Sequence, residues 1–106
     1  MTDREMLELA AKAAGILTSS WYGNEYYIDG MLSRWNPLED DGDALRLAVA
    51  LGLIVDVNLN EHVTTVDYTT PLGEDECALE GHWPDRHAAT RRAITRAAAA
   101  IGRAMP

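Results

Sequence analysis

The sequence predicts one α+β domain: a small antiparallel sheet with about three helices, in the order α-β-β-α-β-β-α. Three observations predict it. Three segments carry apolar residues at helical spacing, each with a capping residue, proline or glycine at a boundary. Two further stretches hold β-branched or aromatic runs separated by turn formers, as hairpins do. The 106 residues fit one core, so residues 1–106 are read as a single domain.

The first helix is expected over 4–14. Thr2 or Asp3 caps it, Met6, Leu9, Ala10 and Ala13 form its apolar stripe, and Gly15 ends it. A hairpin follows within 20–35, where Trp21-Tyr22, Gly23-Asn24 and Tyr26-Tyr27-Ile28 alternate aromatic strand with turn. Asp29-Gly30 is a second turn signal before Met31–Trp35, and Ser19-Ser20 reads as loop.

Pro37 forces Asn36 into an extended conformation, so a second helix starts only between Asp40 and Asp43. Ala44, Leu45, Leu47, Ala48, Val49 and Leu51 give it a broad apolar face, and Gly52 stops it. Leu53–Val57 reads as a buried strand, Asn58–Glu61 as a turn, and His62–Tyr68 as the hairpin partner. Residues 69–83 read as loop. Pro84 then opens a final helix over about 84–104, fitting proline's preference for a first helical turn. Ala89, Ala93, Ile94, Ala97, Ala98, Ile101 and Met105 are its buried stripe.

Charge is distributed unevenly. The formal net charge is −8. Residues 1–83 hold 16 acids against four bases, a balance of −12, and residues 84–106 carry a balance of +4. An acidic body repels phosphates at long range, which disfavours nucleic acid as a partner except through the last helix. No apolar run approaches the roughly 18 to 20 residues of a membrane span. The start, Met1–Glu5, lacks the pattern of a signal peptide, and a single cysteine forms no internal disulfide, so a cytoplasmic setting is expected.

Four groups of residues bear on chemistry. Glu39, Asp40, Asp41 and Asp43 form the sharpest acidic cluster, with Glu74, Asp75 and Glu76 as a second. Their plainest role is helix capping and solvation; their functional role is a negative patch offered to a basic protein surface. The first cluster lacks the ligand alternation of a calcium loop. Arg91, Arg92, Arg96 and Arg103 line the last helix, either pairing with the acids of the body or forming an anion site for a nucleotide or single strand. Trp21, Tyr22, Trp35 or Trp83 would stack on bases in that second case, though such aromatics are more often core.

Cys77, His82 and His87 run as C-x4-H-x4-H, longer than structural zinc spacings and short of a fourth ligand, so neither metal nor cofactor is expected. His62 reads as a sheet residue. No nucleophile elbow, phosphate-binding glycine loop or activated nucleophile is present, and the chain is not read as an enzyme.

Two stretches carry a resemblance. Trp35-Asn36-Pro37-Leu38-Glu39-Asp40-Asp41-Gly42-Asp43-Ala44-Leu45-Arg46-Leu47-Ala48-Val49 resembles a motif of small bacteriophage and prophage proteins akin to the X protein of the lambdoid nin region. Ala88–Ile94 with Arg96-Ala97-Ala98 and Ile101-Gly102 resembles their C-terminal end. The resemblance covers about a third of the chain and implies a phage origin; it brings no catalytic residues.

The expectation is therefore a phage-encoded accessory protein that binds a host protein with a basic surface in fixed stoichiometry. A defence nuclease or CRISPR-type effector is the most concrete such target, since an acidic domain can imitate phosphate in a basic channel. The alternative is a binding module for a nucleotide signal or single-stranded DNA, held by the arginines of the last helix. The Ala-rich last helix also admits a homodimer.

Overall fold

The computed structural model describes residues 1–16, 18–22, 25–28 and 34–106, and the side chains of 1–16 and 34–106. The chain runs α1 (Asp3–Ala14), β1 (Thr18–Tyr22), β2 (Glu25–Ile28), β3 (Arg34–Trp35), α2 (Asp41–Leu51), β4 (Ile54–Asn58), β5 (Val63–Thr69), β6 (Asp75–Gly81) and α3 (Arg86–Ala104). The class is α+β, as expected. The order gains two strands, and the strands form two antiparallel three-stranded sheets, β1-β2-β3 and β4-β5-β6.

Local chemistry sets the helix ends. The Glu5 amide donates to Thr2 Oγ1 at the start of α1, and Gly15, at φ 69°, closes it. Asp40 caps α2 by accepting from the Asp43 amide, and Gly52 closes that helix at φ 64°. The last helix starts at Arg86, two residues beyond the expected proline. Asp85, in an extended conformation, takes the cap position and accepts from the His87 and Ala88 amides.

The expected hairpin exists as β1 paired with β2, with Trp21 opposite Tyr26 and Tyr22 opposite Glu25. Ser19-Ser20 lies within β1, where Ser20 pairs with Tyr27 and Ser19 falls at a shift of register between Thr18 and Ser20. The Gly23-Asn24 and Asp29-Gly30 turns and Met31-Leu32-Ser33 lie outside the described residues. Strand β3 pairs with β2 through Arg34 and Trp35.

The reading of 69–83 as loop is corrected. Asp75–Gly81 is a strand because its backbone pairs with β5 along its whole length, from Thr69–Asp75 to Val63–Gly81. The two strands form a hairpin closed by the turn 70–74, and pairing with β5 outweighs the weak strand preference of these residues.

The core forms where α3 meets α1, α2, β5 and β6. Leu7, Ala10 and Ala11 of α1, Ala44, Leu47 and Ala48 of α2, Val66, Ala78, and Ala93, Ile94, Ala97 and Ala98 of α3 share one buried cluster with Trp35. Two expectations fail at its edge. Leu45 and Val49 of α2 are 64% and 73% exposed, because α2 meets the core through only one side. Strand β4 is an edge and not a buried strand: Ile54 is 65% and Val57 44% exposed.

Candidate functional site

The Asp-rich turn before α2 is used internally. Asp43 is buried; its carboxylate accepts from the Asn36 amide at 2.9 Å and from Arg46 at 2.6 Å. Asp40 caps the helix and lies 3.8 Å from Arg46. Asp41 pairs with Arg91 of α3 at 2.7 Å, while the same guanidinium donates to the Leu38 carbonyl at 2.9 Å. Only the Glu39 side chain of this cluster makes no hydrogen bond or ion pair among the described residues. The turn is a joint between α2 and α3, where two guanidiniums, Arg46 and Arg91, lie against three of its four carboxylates.

The arginines of the last helix are spent in the same way. Arg92 pairs with Asp3 at 3.0 Å and lies 3.9 Å from Glu80. Arg96 pairs with Glu80 and donates to the Leu79 carbonyl at 2.9 Å. Arg103 is exposed and makes no ion pair among the described residues. Three of the four expected anion ligands thus face carboxylates of α1, α2 and β6. Trp35 is core, and Trp83 stands 92% exposed.

Cys77, His82 and His87 do not converge. Cys77 is exposed on β6, His82 is buried with Nε2 2.8 Å from Thr64 Oγ1, and His87 is exposed beside Asp85. Thr64 Oγ1 also lies 2.7 Å from Thr90 Oγ1, so these three residues form one small polar network in the interface of β5, β6 and α3. Among the described residues no group of His, Cys, Asp and Glu is arranged to hold a metal ion.

What remains open is one face of the β4-β5-β6 sheet. Side chains alternate across a strand, and the register fixes which of them share a face. Val55, Val66 and Ala78 form one row toward α3, next to Val57, Thr64 and Glu80. The opposite face carries Ile54, Asp67 and Cys77 in one row and Asp56, Thr65 and Leu79 in the next, with Asp75 beyond, opposite Thr69. Asp56, Asp67, Cys77 and Asp75 are exposed, as are Ile54 at 65% and Leu79 at 53%. No arginine or lysine occupies any strand position of this sheet.

The Asp56 and Asp67 side chains make no hydrogen bond or ion pair among the described residues, and Asp75 accepts from Thr69 Oγ1 at 2.8 Å. Of the second expected acidic group, Asp75 therefore borders this face, and Glu74 lies in the turn before β6. Glu76 points to the other side, where Tyr68 Oη donates to it at 2.9 Å. Burial raises the Tyr68 phenol pKa, and the bond to Glu76 raises it further.

Asp56 and Asp67 were not singled out in the sequence. Each follows a β-branched residue in an alternating run, a signal that marks an outward position. Only the pairing of Ile54 with Asp67 places both on one surface. No family model, curated protein or solved structure matches this chain.

Proposed function

We propose that this chain acts by binding, one to one, a protein with a basic surface, and that the open face of β4-β5-β6 is what it presents. The observation that carries the reading is the pair of exposed carboxylates Asp56 and Asp67, without a partner among the described residues and set among exposed Ile54 and Leu79. A sheet face turned only to water is ordinarily polar at alternate positions. Apolar groups there favour a protein contact, and acids without counter-charges give that contact its sign and speed its formation. In the Asp-rich turn, by contrast, Asp40, Asp41 and Asp43 each have a guanidinium beside them.

The resemblance of Trp35–Val49 to small bacteriophage proteins supports a host component as the partner. A defence nuclease or CRISPR-type effector, with a basic nucleic-acid channel, is the most concrete member of that class. The test is capture of the partner from an infected or lysogenic host by tagged protein, repeated with an Asp67→Lys, Asp75→Lys variant. The variant should lose the captured protein and any inhibition while its thermal unfolding stays close to that of the parent. Full capture by a folded variant rejects the reading.

A further inference from the structure

The proposed docking face ends at β4, and that edge has chemistry of its own. Strand β4 pairs only with β5, so one row of its backbone N–H and C=O groups has no strand partner among the described residues. Edge strands are usually blunted by lysine, proline or a bulge. Across Ile54–Asn58 there is none of these, and Asp56 is the one charge.

Beneath the edge lies a groove. Helix α3 packs on β5 and β6 and leaves the inner side of β4 overhanging. The overhang and the exposed side of α2 enclose about 380 Å³ lined by Ala44, Leu45, Ala48, Val55, Val57 and Ile94. The other edge differs: under β6, Glu80 is engaged by Arg92 and Arg96.

We infer that the β4 edge takes an extended segment of a partner protein as a fourth strand, one whose residues alternate between apolar and basic. Alternation follows from the pleat: every second side chain of an added strand drops into the apolar groove, and the others lie over the face that holds Asp56 and Asp67. Basic groups there answer two carboxylates that nothing else in the described residues neutralises. Arg86, His87 and Arg91 also line the groove, so the side chains that enter it are the apolar ones and the basic ones lie on the other face. A second copy of this chain fits poorly. Two β4 strands paired about their middle residue would oppose Asp56 to Asp56, and each copy brings a net charge of −8.

This inference rests on the proposed docking to a basic protein and adds the edge, the groove and the pattern of the bound segment. It is tested by nuclear magnetic resonance titration of the full chain with three synthetic peptides. One alternates valine and lysine, one alternates valine and glutamate, and one holds the same valines and lysines in two blocks. The alternating valine–lysine peptide should bind one to one, shift Ile54–Asn58 and Leu45, and slow amide exchange along β4. Asp56→Lys, at an exposed position, should weaken that peptide by about tenfold and turn the preference toward the valine–glutamate peptide.

Equal binding of the block peptide overturns the inference, since diffuse charge attraction then accounts for the result; docking through the open face would still stand. No binding of the alternating peptide at millimolar concentration also overturns it. So does a dimer in the peptide-free sample that Val57→Lys dissociates. Docking through the open face fails separately, when the Asp67→Lys, Asp75→Lys variant retains its captured partner.

Discussion

Gly102 of α3 lies so close to Leu9 of α1 that a β-carbon on it would fall 2.0 Å from the Leu9 carbonyl oxygen. No side-chain rotation relieves a contact with backbone, so the two helices would have to separate. Gly102→Ala should therefore destabilise the fold by about 1–3 kcal/mol or more, the range of overpacked cores, although alanine is the better helix former. Denaturant unfolding of the variant measures this, and a gain in stability would show that the helices are not in contact there.

Asp43 is the buried acid that holds β3 to α2. Asp43→Ala leaves the Asn36 amide without its acceptor in a buried setting, and should lose roughly 1–3 kcal/mol. Arg46→Ala should lose less than about 1 kcal/mol, because that guanidinium is 73% exposed and water screens its pairs. Chemical denaturation of both variants should keep this order.

The Thr64–His82–Thr90 network makes a similar contrast. Thr64→Val preserves shape but withdraws the hydroxyl that His82 and Thr90 share, at an expected loss of roughly 1–3 kcal/mol. Thr90→Val leaves the His82 contact intact and should lose less. Equal effects would mean that His82 gains nothing from Thr64.

The Asp85 carboxyl sits below its ordinary pKa of 3.8, held there by the Ala88 amide first and the His87 amide next. A depressed carboxylate contributes stability that is complete above the unfolded value and lost as pH falls through the folded one. The melting temperature of the parent should thus fall through this acid range more steeply than that of Asp85→Ala. The two curves should converge at the lowest pH.

Tyr68 has the opposite sign. Its phenol pKa is raised above 10.0 by burial and then by Glu76, so the folded chain holds this proton more tightly than the unfolded one. The stability it contributes is complete below the unfolded value and lost as pH rises through the folded one. Ultraviolet titration of phenolate, with Tyr68→Phe as the difference sample, should show one late-titrating group. Glu76→Gln should bring it earlier.

The helices were legible because their signals are local. Thr2, Gly15, Asp40 and Gly52 act within one turn of chain, and the alanine stripe of α3 repeats at helical spacing. Strand β6 was not legible: Glu76, Cys77, Ala78 and Glu80 have little strand preference, and only β5 makes them a strand. The site suffered from the same gap. Acids dense in sequence, Asp40, Asp41 and Asp43, lie beside Arg46 and an arginine 50 residues away, whereas Asp56 and Asp67 are isolated in sequence and share one face only through strand register. Density of charge along the chain did not show which carboxylates have a guanidinium beside them.

Cys77, the chain's one thiol, stands in the same row as Ile54 and Asp67 on the uncovered side of the sheet. A maleimide dye would therefore attach at a single place, outside the packed interior and within reach of whatever settles on that surface. Its brightness or its shielding from quenchers would follow occupancy in real time, whatever molecule arrives, without a tag or an added residue.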